Sequence, residues 1–587
     1  MMRNLTIFFF ATALMGAPLP SVAQNANQIT VDSVIARLDR ALSGEKALES
    51  AGYFTKFWRI GGGPEFDSCL QFIEHGLEVS GMKHGSDAPF GRFGTEESRN
   101  PVRVWTPLDA SLTLESPEQR TLHSYKATPL MLCSNSYPQD VTAGVVFVGG
   151  AGSEQDFSSV DVSGKFAFCN APPSSVFRLA VKHGAIGIIS SHVPDINHPE
   201  LYPDIVAEGS IPYDETAKSF GIKISPRTAD ELKKLLTYAP VSLRVRIQSS
   251  FSEAPFRTLV AEFPGRSKPE QRVVIVAHLD HYKPGANDNA SGAATLLEIA
   301  RTFSTSLQNG TLPPPERTLT MLWVDEYRGT REWIAQHQED LKNVQAVLVM
   351  DMVGGNPEKT HGTFRIEKMP DPGLLWMRSP DSHSGWGVGK WEKDRMFASY
   401  LNDFVLSLVN KQSQQTGWKT AVNVWEGGSD HDPFLEHGIP AILAWHFPDH
   451  FYHTSMDDID KIMPVEMHRA GVSIGGTAIA LAYGNESIAT RILSDVTQAA
   501  AGRLSNELQN STFELSLAQA ESPEALKASK RQERKVIEMW EEWYKGAISS
   551  TRSVVVGDVS TTFEEELRRA IKKVDDQMKQ IMEALGI

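Results

Sequence analysis

One strand–loop–helix unit, residues 273–301, constrains the fold of this 587-residue chain more than any other stretch: VVIVAHLDHYKPGANDNASGAATLLEIAR. Its first four residues are a β-branched apolar run without polar alternation, the pattern of a strand buried on both faces of a parallel sheet. Parallel neighbours need crossover connections, so such a strand commits the chain to alternating strands and helices. A loop, residues 284–289, then leads into a helix over about 291–303. His278 and Asp280 fall just past the carboxyl end of the strand, where open α/β sheets bind ligands. With Asp288 in the Gly/Asn-rich loop they make a metal-site arrangement, provided that other ligands converge on them. Two candidates do so in sequence. Asp351 ends a second apolar run, residues 346–350, and His453 stands in FYHTSMD.

Four segments in order, AHLDHYKPGANDNASG, WVDEYRG, VMDMVGG and GGSDHDPFLEHGIPAI with FYHTSMDDIDKI, span roughly residues 255–485. With these the chain resembles the co-catalytic di-zinc exopeptidases grouped with bacterial leucyl aminopeptidases and glutamate carboxypeptidases, peptidase family M28. The resemblance implies a doubly wound mixed α/β sheet with helices on both faces, and two zinc ions. Asp288 would bridge the ions, His278 and Asp351 would complete one of them, and His453 with a glutamate the other. Asp280 would orient the His278 imidazole. Asp430 and Asp457 would support the site. His281, His431, His446 and His450 are read as ordinary histidines with no metal.

One segment departs from the pattern. The family carries two adjacent glutamates, a base and then a ligand, where this chain has Asp325-Glu326-Tyr327-Arg328-Gly329. Alignment on Gly329 makes Glu326 the base and puts Tyr327 in the ligand slot, so that the second zinc loses a ligand and binds weakly. Alignment of the acidic pair makes Asp325 the base and Glu326 the ligand. The longer carboxylate reaches a water more readily, which favours Glu326 as base. Glu326 belongs to the site in both.

The rest of the chain divides around this core. Residues 1–23 have a short positive start, an apolar run and Ser21-Val22-Ala23, the form of a signal peptide cleaved before Gln24. The expected product is exported, periplasmic or secreted, without a membrane anchor. Residues 28–103 read as an N-terminal helical part of the catalytic domain, and 258–493 as its body. Between them, 104–257 show strand, turn, strand, helix and strand, which resembles the protease-associated module inserted in this family. Residues 354–395 read as a long loop near the site. From 494 to 587 the chain turns Glu/Lys/Gln-rich with helical periodicity, a helical extension that packs on the core or forms a homodimer.

Composition excludes several classes. A hydrophobic fraction of 41% and a charged fraction of 22% are those of a globular protein, and a net charge of −15 opposes nucleic-acid binding. Cys69, Cys133 and Cys169 form no metal motif, and their pairing is open. No G-x-S-x-G elbow stands between a strand and a helix, so a serine hydrolase is set aside. The expected activity is removal of N-terminal residues from peptides, with Asp325, Glu326, Glu426, Asp430 and Asp432 as candidate partners for the substrate ammonium. Carboxypeptidase action, with Arg328 or Arg331 as the clamp, and a catalytically impaired peptide-binding protein are the alternatives.

Overall fold

The computed structural model describes residues 29–587 apart from 86, 87, 89, 151 and 388. The signal-peptide reading therefore lies outside the described residues.

The apolar runs become the centre of a nine-stranded mixed sheet. Its four middle strands, Arg317–Val324, Lys268–His278, Val344–Met350 and Ala441–Phe447, run parallel. The chain passes from Lys268–His278 to Arg317–Val324 on one side, then crosses to Val344–Met350 on the other. Lys268–His278 is thus the point where strand order reverses, and a crevice opens there at the carboxyl ends. Antiparallel strands flank the parallel set, Arg257–Phe263 on one side and Thr363–Glu367 on the other. The latter lies inside the segment read as a long loop. Helix Gly292–Gln308, buried along most of its length, packs on the sheet.

Strand Arg92–Glu97 pairs with Arg257–Phe263, so the N-terminal helices and the large sheet form one body. Between those two strands the chain builds a second sheet of seven strands. Its spine is an antiparallel pair, Val102–Ser116 with Ser242–Ala254. On these strands Leu112, Leu114, Leu243, Val245 and Ile247 alternate with polar residues and bury one face. All three cysteines are buried free thiols, and burial pushes Cys133 up to about 12, which suits packing rather than reactivity.

At the C-terminus, helices Glu486–Glu521, Pro523–Ser550 and Thr561–Leu585 place Val536, Ile537 and Trp540 in the same apolar core as the large sheet. The first of them runs unbroken through residue 493, where a boundary was expected. A buried charge network ties these helices to the sheet body. Arg503 reaches Asp381 at 2.6 Å and Glu507 at 2.7 Å, Lys368 reaches Asp371 at 2.6 Å and Asp381 at 3.0 Å, and Arg378 reaches Glu533 at 2.8 Å. Removing one partner of such a network strands the others in low dielectric. Arg503→Ala is therefore expected to cost about 3–5 kcal/mol, read as a lower thermal midpoint with the zinc content unchanged. An unaltered midpoint would show that the network contributes nothing to docking.

Candidate metal centre

The parallel strands end on one edge and present their functional side chains there. His278 closes its strand, Glu326 follows Arg317–Val324, Asp351 follows Val344–Met350, and His453 lies on the loop beyond Ala441–Phe447. Asp288 arrives on the loop before helix Gly292–Gln308.

That loop is held by backbone satisfaction rather than by packing alone. Arg59, fully buried, donates to the carbonyls of Phe54 and Leu279 at 2.8 Å, Pro284 at 3.0 Å and Gly285 at 2.8 Å. Asp457 accepts the N–H groups of Asn287 at 2.8 Å and Asp288 at 3.1 Å. Asn289 donates to the Met350 carbonyl at 2.9 Å and accepts from Met352 N–H at 3.0 Å, which links the loop to the strand that delivers Asp351. Buried backbone groups need such partners, so the loop has one well-defined path.

Two histidines aim Nε2 at Asp288. His278 Nε2 is 3.5 Å from Asp288 Oδ1 and 3.2 Å from Asp351 Oδ1, while its Nδ1 faces the Asp280 carbonyl at 3.1 Å and the Asp280 carboxylate at 3.5 Å. His453 Nε2 is 2.9 Å from Asp288 Oδ2, and its Nδ1 is 2.9 Å from Glu208 Oε1. A third histidine joins them. His281, assigned no role from sequence, places Nε2 3.5 Å from Asp288 Oδ2. The donors fall into two sets, His278 with Glu326 and Asp351, and His453 with His281 and Glu208, the ligand atoms of each lying within 4.8 Å of one another.

Charge makes this a cation site. Asp288 Oδ1 is buried without a hydrogen-bond partner, a costly state for a carboxylate oxygen. Burial alone would lower the pKa of His278 and His453. Asp351 and Glu326 around the first, and Glu208 and Asp288 around the second, instead raise both well above the usual histidine range. Burial, reinforced by Asp351 and Asp430, lifts Glu326 well above the usual carboxylate range. The carboxylates exceed the positive groups that face them, and divalent ions bound by nitrogen and oxygen donors relieve that excess. The residues fit zinc.

The Asp325-Glu326-Tyr327 segment resolves by geometry. Both Asp325 oxygens take the Arg328 guanidinium at 2.7 Å, and Oδ2 also accepts Gly61 N–H at 3.2 Å. The Tyr327 hydroxyl donates to Asp432 at 2.7 Å. Neither lines the cleft, and only Glu326 of the three does. The sequence count of ammonium partners shrinks accordingly. Glu426 is held by His383 and Ser384, Asp430 accepts from Tyr327 N–H and Thr330, and Asp432 accepts from Tyr327 and Trp425. His431 and His446 are paired with buried Glu367 and Glu466 and belong to neither donor set.

Glu208 comes from the segment joining the second sheet to the centre. Its N–H donates to the His453 carbonyl at 2.9 Å, and Ser455 N–H donates to the Val206 carbonyl at 2.8 Å. The cleft, about 390 Å³, is walled on that side by Arg103, Trp105 and Glu208.

Residues 258–476 match the model of peptidase family M28. Aminopeptidase YwaD of Bacillus subtilis (strain 168) is 24% identical over 359 residues, 58% of this chain and 68% of that one. A probable glutamate carboxypeptidase, VP8 of Zea mays, is 28% identical over 209 residues, 34% of this chain, which spans only 26% of that protein's length. The solved structure of BSAP, a zinc aminopeptidase from Bacillus subtilis, superposes with a TM-score of 0.50 at 17% identity, covering 74% of this chain and 94% of that one. Sequence match and fold agree with the donor sets: residues 258–476 match peptidase family M28, and the chain is a hydrolase of the zinc metallopeptidase class.

Proposed function

We propose that the chain is an exported aminopeptidase that removes N-terminal residues from peptides. The convergence of histidine Nε2 atoms on Asp288, in a cleft at the strand-order reversal, carries the metallo-exopeptidase reading. The cleft lining carries Glu208, Asp280, Asp288 and Glu326, and this negative field, rather than any one free carboxylate, favours a substrate ammonium. The Bacillus relative matched over most of its length supports it too. Export rests on the leader-like residues 1–23. The order of strands and helices in the second sheet supports a protease-associated module.

Bound zinc supplies the positive charge that acidifies a water and polarises the scissile carbonyl. Glu326 takes the proton of the attacking water and returns it to the leaving amine. Asp280 keeps the His278 ring in register, with Nδ1–H directed at its carbonyl.

A carboxypeptidase reading has one specific observation in its favour: Arg103, stacked 3.6 Å over Tyr213, lines the same cleft and could clamp a terminal carboxylate. One peptide in two capped forms separates them. N-terminal acetylation removes the positive charge and is expected to stop cleavage, whereas C-terminal amidation leaves it unchanged. Cleavage of the acetylated form at full rate together with failure on the amide would replace the aminopeptidase reading by the other.

A further inference from the structure

The geometry points to a rebuilt second zinc position in which His281 takes the ligand slot that Tyr327 leaves, and Glu208 of the second sheet unit orients His453. The inference rests on the metallopeptidase reading but uses residues outside the set that the family resemblance implies. Tyr327 cannot serve, because its hydroxyl is committed to Asp432.

His281 is prepared for the role. Its Nδ1 lies 2.8 Å from the Tyr282 carbonyl oxygen. A carbonyl only accepts, so Nδ1 carries the hydrogen and Nε2 presents a lone pair. That Nε2 is buried without a hydrogen-bond partner in a residue 8% exposed, and it faces Asp288 Oδ2 at 3.5 Å. A lone pair set against a carboxylate oxygen is repulsive unless a cation lies between them. Two donors on a tetrahedral zinc stand about 3.4 Å apart, which matches the observed separation. His453 Nε2 aims at the same Oδ2 from the other side, and the His281 and His453 ring centroids are 5.2 Å apart.

Glu208 has a different part. It meets His453 at Nδ1, 2.9 Å away, while Nε2 faces Asp288. This is the carboxylate–histidine arrangement that fixes the ring and its tautomer when the other nitrogen binds metal. Since the Glu208 and Val206 backbones bond to the His453 loop, the second position depends on the docking of the second sheet unit against the catalytic sheet.

The test is zinc stoichiometry and affinity of the full-length, chelator-stripped chain, by titration calorimetry and elemental analysis. Wild type is expected to bind two ions, and His281→Phe one. Glu208→Gln is expected to keep two but to weaken the second about 10–100-fold. Two ions of unchanged affinity in His281→Phe would overturn the proposal and leave the metallopeptidase reading intact, as would a single ion in wild type that is lost in Asp351→Ala. No zinc in wild type would overturn both. Should His281→Phe fail to fold, anomalous scattering at the zinc edge from wild-type crystals decides: a peak between the His281 and His453 Nε2 atoms supports the assignment, and a peak only beside His278 and Asp351 refutes it.

Discussion

Asp288→Ala is expected to lose peptide hydrolysis by about four orders of magnitude or more in kcat/KM, and most of its bound zinc with it. The size follows from the position of one carboxylate between two donor sets. Oδ1 faces His278 at 3.5 Å, and Oδ2 faces His453 at 2.9 Å and His281 at 3.5 Å. Without it, the three histidines have no shared anion and the remaining carboxylates cannot hold two ions in register. The loop should survive the change, because Asp457 bonds the backbone N–H groups of Asn287 and Asp288, not the Asp288 side chain. A thermal midpoint of the metal-free forms close to wild type, with zinc measured by elemental analysis, separates loss of the site from loss of the fold. Full zinc occupancy with normal turnover would refute the bridging assignment.

What the sequence made legible was what it encodes locally. Residues 273–276 and 346–349 are wholly apolar because both faces of a central parallel strand are covered, and His278 and Asp351 stand out as the polar groups that end those runs. The loop Pro284-Gly285-Ala286-Asn287-Asp288-Asn289 marks itself by composition. Glu208 left no such mark. It is 245 residues from His453 and sits in an ordinary stretch, Ile205-Val206-Ala207-Glu208, so only the packing of two sheets reveals the pair. His281 was visible as H-x-D-H, yet nothing local distinguishes a ligand from a buried histidine; its tautomer, fixed by the Tyr282 carbonyl, does. Arg59 left no mark either, because its partners are carbonyls that the sequence does not display. Strand Thr363–Glu367 was hidden by its short length among Gly, Pro and Asp, and its pairing with Ala441–Phe447 is what makes it a strand. The break expected at 493 reflects a change of environment along one helix. Ile488, Ala489, Ile492, Leu493 and Val496 are buried at close spacing, and buried positions thin out toward its far end.

The same distinction between a residue's type and its surroundings decides the base. Glu326→Gln is expected to retain zinc and lose about 10²- to 10⁴-fold in kcat, the usual contribution of a positioned proton acceptor. His278, Asp351 and Asp288 would already offer three donors to the first ion, and a catalytic zinc with three protein ligands needs its remaining position open. Glu326 as a fourth ligand would close that position. As a base it would stand beside it, its carboxylate within 4.8 Å of the His278 and Asp351 donor atoms. Its backbone N–H is fixed by Asp280 at 2.6 Å, so the glutamine should occupy the same place. Asp325→Asn is the contrasting variant. Asp325 carries the Arg328 pair and the Gly61 N–H, so its change should lower the thermal midpoint while kcat stays within a few-fold of wild type. Zinc content falling in Glu326→Gln would make Glu326 a ligand. Turnover collapsing in Asp325→Asn at full zinc, with Glu326→Gln active, would return the base to Asp325.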